Sequence, residues 1–336
     1  MRYVATIGFF DGVHRGHQCL VSQVCELARK LQCASMIVTF DRHPRQVLHA
    51  DYVPQLLSTY EEKKALLTTT GIDRLEMLPF TEELSRLTAL EFMQQVLTVK
   101  FHVQTLVMGY DHRFGCGGGT FTEYVEWGKL VGIDVVLAHE LEEEKVSSSV
   151  IRRLLGEGKI RQANHFLGYE YNLHGKVVTG HQVGRNIGFP TANIMAPKDK
   201  LLPACGVYAV RAMVNDSSYN GMLCIGHRPT LNNGDELSVE VNLFGFNGDL
   251  YGREISVSFV DRLRDEQSFP QSRRFSDNWN RTPFMHRIFS PKWYDQYRIH
   301  SSTQIRRRSQ TGAWKGAGRN RSAFLPAADR RLAVSL

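Results

Sequence analysis

The chain has 336 residues, 42% of them hydrophobic and 22% charged, which suits a folded protein of more than one domain and excludes a disordered or low-complexity chain. No apolar run approaches the ~18 residues that a membrane-spanning helix needs, and the N-terminal apolar stretch is broken by Asp11 rather than built like a signal peptide. The formal charge of +7 is uneven: 14 Lys and Arg against 3 Asp and Glu fall from Gln267 onward, leaving 27 against 31 before it, so the body is mildly acidic and the basic excess belongs to the tail. The six cysteines (Cys19, Cys25, Cys33, Cys116, Cys205 and Cys224) form no CxxC pair. Reduced thiols in a cytoplasmic protein are therefore expected, not a disulfide framework or a zinc site.

Residues 3–7 read as a short apolar strand that runs into the Gly-punctuated turn Gly8-Phe9-Phe10-Asp11-Gly12-Val13-His14-Arg15-Gly16-His17. Leu20, Val24, Leu27 and Leu31 then recur at helical spacing. His14 and His17 thus fall between a strand end and a helix N-terminus, where unpaired N–H groups and the helix dipole favour an anion such as a phosphate. Imidazole N–H groups there can follow charge as it builds on phosphate. By spacing alone, two histidines in such a turn are as readily ordinary loop residues. Residues 34–40 read as a β-branched strand leading into Asp41-Arg42-His43-Pro44, a turn that Pro44 keeps extended.

Ser58 with Glu61 reads as a capping box for a helix ending at Gly71, and Thr88 with Glu91 as another, with Leu90, Met93 and Leu97 on one face. Residues 104–108 form the next strand, ending in Gly109-Tyr110-Asp111-His112-Arg113-Phe114-Gly115 and a run of three further glycines at 117–119. Such a loop can wall a ligand or simply be flexible. Strand 135–137 precedes Val146-Ser147-Ser148-Ser149-Val150-Ile151-Arg152, where hydroxyls cap a helix and Arg152 lies one turn in. Hydroxyls, N–H groups and a guanidinium at one spot suit a triphosphate. Alternating strands and helices predict an open parallel α/β sheet, and all three motifs fall at the carboxyl ends of strands, where ligands bind in such folds.

A helix over 159–167 closes this unit, and from Tyr169 the texture becomes short β runs. Strands are expected at 173–178, 207–214, 219–225, 239–244 and 255–260, with turns at Asn215-Asp216 and Asn247-Gly248-Asp249, giving a small antiparallel barrel. Its chemistry-bearing string is Gly180-His181-Gln182-Val183-Gly184-Arg185-Asn186-Ile187-Gly188-Phe189-Pro190-Thr191-Ala192-Asn193. The glycines allow a loop to wrap phosphates. Thr191 and Asn193 offer neutral oxygens that suit Mg²⁺, which keeps waters and bridges phosphates. By spacing alone this is equally a Gly-rich hairpin with a proline turn. Glu240 follows on a strand, where a carboxylate can take the proton of an attacking hydroxyl.

Taken together, these strings resemble the bacterial bifunctional riboflavin kinase/FMN adenylyltransferases, the FAD synthetases. The turn at 8–17 resembles the HxGH signature of nucleotidyltransferases, and the string at 146–152 resembles the family's Ser-Ser-x-x-Ile-Arg block that grips the β- and γ-phosphates of ATP. The string at 180–193 resembles the G-x-G-R-x-x-G-F-P-T-A-N signature of riboflavin kinases. Blocks at 206–208, 225–230 and 249–252 match as well. The resemblance implies an N-terminal FMN adenylyltransferase domain over 1–167 with a Rossmann-like parallel sheet. It also implies a riboflavin kinase β-barrel over 168–269.

It implies that Gly8, Phe9, Asp11, Gly12, His14, His17, His43, Asp111, Ser148 and Arg152 serve nucleotide and flavin on the first domain. Gly180, Gly184, Arg185, Gly188, Pro190, Thr191 and Asn193 would serve ATP and Mg²⁺ on the second, with Glu240 as the base for the ribityl 5′-hydroxyl. Riboflavin, FMN and FAD would be substrates and products, with ATP and Mg²⁺ as co-substrate and metal. The chain departs from the family pattern at His112, where Phe is usual, at Asn242, where His is usual, and at Gly245, where Asp is often found.

The resemblance runs from Arg2 to Phe269 and stops. Residues 270–336, with Arg306-Arg307-Arg308 and scattered Trp and Ser, are expected to be a disordered or non-homologous tail. A nucleic-acid-binding tail is the functional alternative. A nucleotidyltransferase active on FMN only, its kinase impaired by the altered C-terminus, is the alternative for the whole chain.

Overall fold

The computed structural model describes residues 1–48, 55–139, 145–179, 191–227 and 237–265. The first unit is laid down as β1 (Tyr3–Ile7), α1 (Arg15–Lys30), β2 (Ala34–Phe40), α2 (Pro44–Leu48), α3 (Tyr60–Thr68), β3 (Arg74–Leu78), α4 (Glu82–Arg86), α5 (Ala89–Phe92), β4 (Val103–Met108), α6 (Phe121–Val131), β5 (Asp134–Leu137), α7 (Ser148–Gly156) and α8 (Ile160–Leu167). All five strands are parallel, in the order β3-β2-β1-β4-β5. The central strands β1 and β2 are buried almost throughout, as expected of strands covered on both faces. Val21, Val24 and Ala28 of α1 cover one face, and α5, the π-helical Met93–Lys100 and α6 cover the other.

The second unit is a closed antiparallel barrel of β6 (Asn172–Val178), β7 (Ala192–Met195), β8 (Gly206–Val214), β9 (Ser217–His227), β10 (Leu237–Leu243) and β11 (Glu254–Arg264), in the order β10-β7-β6-β11-β8-β9. Closure leaves no free sheet edge. The β8–β9 hairpin turns on Asn215 and Asp216, both at positive φ (46° and 62°), which matches the right-handed twist of its strands. The barrel core does not stop at the barrel. Ile151, Leu154 and Leu155 of α7 and Ile160, Ala163 and Leu167 of α8 share one apolar cluster with Tyr208, Leu223, Val257 and Phe259.

Several sequence expectations need correction. The first capping box is Thr59 with Glu62, one residue later than expected, because the Ser58 hydroxyl is taken by the Gly12 N–H. Pro44 does not extend the chain; it opens α2, since proline is tolerated at a first helical position. Leu31 lies past the end of α1 and is 46% exposed, and the buried face is Val21, Val24 and Ala28. The helix begun at Thr88 widens to π geometry over Met93–Lys100. Strand β3 was not expected, because Arg74-Leu75-Glu76 hides a strand behind charge, and β7 begins at Ala192, within the last two residues of the string read as a loop. The tail over 270–336 lies outside the described residues.

Phe259 is fully buried in the barrel and meets Tyr208 edge-on at 5.3 Å and Tyr171 at 6.1 Å. Phe259→Ala should cost roughly 3–5 kcal/mol, read as a lowered urea midpoint. A cost under ~1 kcal/mol would mean that the core is not organised around this ring.

Candidate functional site

The N-terminal constellation begins where β1 ends. Gly8 N–H donates to the Val38 carbonyl of β2 at 3.1 Å, and the chain then turns through positive φ at Phe10 (55°), Gly12 (75°) and Val13 (37°). A non-glycine residue pays for that conformation, and at Gly12 a Cβ would also lie 2.9 Å from the Leu57 side chain. The turn delivers His14 as the N-cap of α1, its Nδ1 accepting the His17 N–H at 3.4 Å. Nδ1 is thus the acceptor, and the proton of the neutral ring sits on Nε2. The two imidazoles stack with centroids 3.6 Å apart and planes 17° apart.

Both rings are neutral at physiological pH. Burial, with the Arg152 guanidinium nearby, brings the His14 pKa down to about 4. Burial and the neighbouring His14 and His112 hold His17 well below the ordinary imidazole value. The Nδ1 of His17 and the Nε2 of His112 are sealed from solvent without a protein partner among the described residues. Burial also takes His112 to about 4. Two uncharged imidazoles at the start of a 16-residue helix form an arrangement that can offer N–H donors to an anion.

Beside them lies Asp11, 4% exposed. Its Oδ1 accepts the Leu57 N–H at 3.0 Å and the Ser58 N–H at 3.1 Å, and its Oδ2 accepts Arg152 Nη2 at 2.5 Å. Arg152 Nε donates to the Gln55 carbonyl at 2.9 Å. Ser147 caps α7, and the Ser148 hydroxyl donates to the Asp11 carbonyl at 3.0 Å. Tyr169 O–H donates to the Gly12 carbonyl at 2.6 Å. Asp11, Gly12, His14, His17, Ser148 and Arg152 are therefore brought together, with the N-termini of α1 and α7 side by side.

Phe9 and His43 form the neighbouring wall, with ring centroids 4.9 Å apart. Sequence reasoning missed Lys63 here. Its ammonium lies 3.8 Å from the Phe9 centroid and donates to the Phe40 carbonyl at 2.7 Å, and burial lowers its pKa to about 8. A lysine in a charged helix reads as solvated, and only the fold turns it inward. Asp111 is exposed. Its loop is anchored rather than loose: the Tyr124 hydroxyl accepts the Phe114 N–H at 2.8 Å and donates to the Phe114 carbonyl at 2.7 Å.

In the barrel, Glu240 of β10 pairs in register with Asn193 of β7, and the Thr191 hydroxyl donates to Glu240 Oε2 at 3.4 Å. Asn193 is 6% exposed and Asn242 7%. The Thr191 hydroxyl just before β7, the Asn193 amide on β7 and the Glu240 carboxylate on β10 form a set of hard oxygen donors that fits Mg²⁺ together with phosphate and water. Among the described residues no cluster of three His, Cys, Asp or Glu side chains could hold a metal by itself. Gly180, Gly184, Arg185, Gly188 and Pro190 lie outside the described residues.

His14 makes the fold acid-sensitive. Its proton is bound less tightly in the folded chain than in the unfolded one, so stability is retained above about pH 6.5 and falls as pH drops toward about 4. His14→Gln keeps a polar side chain but no titration. Urea melts at pH 7 and pH 5 should show a drop smaller by on the order of 1–2 kcal/mol in the variant. Equal drops would mean that folding does not lower the His14 pKa.

Residues 1–150 match the FAD synthetase family model and residues 167–281 match the riboflavin kinase model. A bifunctional riboflavin kinase/FMN adenylyltransferase of Listeria monocytogenes is 35% identical over 269 residues, covering 79% of this chain and 85% of the relative. The Bacillus subtilis protein of that name is 36% identical over 271 residues, at 79% and 85% coverage. The one from Escherichia coli K12 is 35% identical over 270 residues, at 79% and 86%. A crystal structure described as a macrolide-efflux protein from Streptococcus pneumoniae superimposes with a TM-score of 0.75 at 31% identity, over 83% of this chain and 91% of that one. One match falls on the unit that stacks the two histidines, the other on the barrel that carries Glu240, and relatives bearing both span four fifths of the sequence: the chain belongs to the bifunctional riboflavin kinase/FMN adenylyltransferase family.

Proposed function

We propose that this chain makes FAD from riboflavin in two ATP-dependent steps, one on each unit. The barrel moves the γ-phosphoryl group of ATP to the ribityl 5′-hydroxyl of riboflavin. The new bond is from that oxygen to the γ-phosphorus, the bond to the β,γ-bridging oxygen breaks, and FMN and ADP leave. The α/β unit joins a phosphate oxygen of FMN to the α-phosphorus of a second ATP. The α,β-bridging bond breaks, and FAD and pyrophosphate leave. Neither step needs a covalent enzyme intermediate. Positioning and charge neutralisation are what such transfers demand.

The observation that carries the reading is that each unit holds its own constellation: the stacked neutral pair His14–His17 beside Arg152, and Glu240 of β10 with Thr191 at the entry to β7. On the α/β unit the histidines offer N–H donors to the phosphates from the start of α1, and Ser148 and the free N–H groups of α7 offer the opposite wall. Gly8, Phe9 and His43 line the approach, with Asp111 at the rim of the same strand ends. Arg152 spends two donors on Asp11 and Gln55, leaving the rest of its guanidinium for phosphate oxygen.

On the barrel Glu240 takes the hydroxyl proton as the oxygen attacks, and the Thr191 hydroxyl orients the carboxylate. Thr191 and Asn193 would hold Mg²⁺, which supplies neutralisation of the phosphate charge. The glycine string with Arg185 and Pro190 would complete the phosphate cradle. The six cysteines form no CxxC pair, which favours a reducing compartment, the cytoplasm; no described helix is long and apolar enough to cross a membrane.

Asn242 favours a second reading, in which FMN is adenylylated but riboflavin is phosphorylated weakly, since it stands where the resembling proteins carry His. Incubation with riboflavin, ATP and Mg²⁺, followed by separation of the flavins, distinguishes the two: FAD supports both activities, and FAD only from supplied FMN supports the second reading. Glu240→Gln should lower FMN formation on the order of 10²–10⁴-fold and leave FMN-to-FAD conversion intact. His14→Ala/His17→Ala should do the reverse. FAD formation unchanged in that double variant would remove the histidines from the mechanism.

A further inference from the structure

One buried charge pair lies outside both constellations. Lys200 follows β7 on the barrel side, and its ammonium donates to Glu62 Oε2 at 2.6 Å and to the Leu57 carbonyl at 2.8 Å. It also lies 4.5 Å from the centroid of the Tyr171 ring. The lysine side chain is 0% exposed and that of the glutamate 8%. Backbone bonds flank the pair: Leu56 N–H donates to the Asp199 carbonyl at 2.7 Å, and Leu201 N–H to the Leu56 carbonyl at 2.8 Å.

Residues 55–58 are thus held from two sides. The barrel side grips Leu56 and Leu57, while the other side bonds Asp11 and Arg152. The two grips meet in one peptide unit. The carbonyl of Leu57, which Lys200 holds, belongs to the same peptide as the Ser58 N–H, which donates to Asp11 Oδ1 at 3.1 Å. A cation on a peptide oxygen polarises that peptide and strengthens the bond its N–H donates. The order is then ammonium, peptide, carboxylate, guanidinium, running from the barrel to the site that would hold ATP.

We propose that Lys200 of the barrel half is a positioning residue for adenylyl transfer, orienting the 57–58 peptide that holds Asp11 and, through Asp11, the Arg152 guanidinium. The proposal deepens the reading of the α/β unit given above and rests on it. A buried ion pair that serves stability alone is replaceable by neutral side chains; one that aims a peptide is not.

The test uses the full chain as Lys200→Met and as Glu62→Gln/Lys200→Met. The double variant leaves no unpaired buried charge and keeps an acceptor for the Thr59 N–H. In both, kcat for FAD formation from FMN and ATP should fall at least ~10-fold, with KM for FMN and the rate of riboflavin phosphorylation within about two-fold of wild type. A double variant with wild-type kcat would overturn the proposal, because Lys200 would then only offset the charge of Glu62. A parallel fall in the kinase rate, or a double variant that does not fold, would overturn it in favour of a structural role. A wild-type chain that forms no FAD from FMN would overturn the adenylyl-transfer reading itself, and the proposal with it.

Discussion

The α/β site depends on a carboxylate with almost no water. Asp11 is 4% exposed, and a buried charge is tolerable only when it is paired and hydrogen-bonded. Its partners come from far along the chain: the Leu57 and Ser58 N–H groups and the Arg152 guanidinium. Those bonds offset the strain of a turn that holds Phe10, Gly12 and Val13 at positive φ. Because the turn is held, His14 can cap α1 and stack on His17. The histidine pair is a consequence of the carboxylate's satisfaction.

Charge is distributed to match. Arg152 is neutralised by Asp11, and Lys200 by Glu62, while the two histidines are uncharged through burial. Apart from the Lys63 ammonium, the site therefore presents donors and helix N-termini more than net positive charge. Preorganised dipoles of this kind stabilise developing charge without reorganising. The barrel instead sets the Glu240 carboxylate of β10 opposite Asn193 of β7, with the Thr191 hydroxyl at the entry to β7 donating to it. The helices α7 and α8 serve both units: α7 presents Ser148 and Arg152 to the first while its apolar face is buried in the core of the second.

Much of this was legible in the chain. The β-branched run at 34–40 is β2 to the residue, and the Thr88/Glu91 box caps α5 as expected. These are local decisions, in which period and side-chain chemistry agree with the fold. The failures share a cause. Ser58 and Thr59 are both competent caps, and the choice between them fell to Gly12, 46 residues away. Lys63 reads as a surface residue until Phe9 and Phe40 close over it. Strand β7 is too short to announce itself and exists because β6 and β10 pair with it on either side.

The sequence by itself determined the family, since the glycine, histidine, serine–arginine and Pro-Thr-Ala-Asn strings are contiguous and each needs only its neighbours to be recognised. It also determined the order of a parallel α/β unit followed by a β-barrel, because the hydrophobic period changes at residue 169. The tertiary structure alone decided the electrostatic state of those residues. Neutral histidines, a guanidinium already paired, and a lysine from the barrel half bound to the carbonyl of Leu57 all follow from burial and from contacts between residues tens to more than a hundred positions apart. Desolvation and pairing depend on what closes around a group in space, and spacing along a chain carries no record of that.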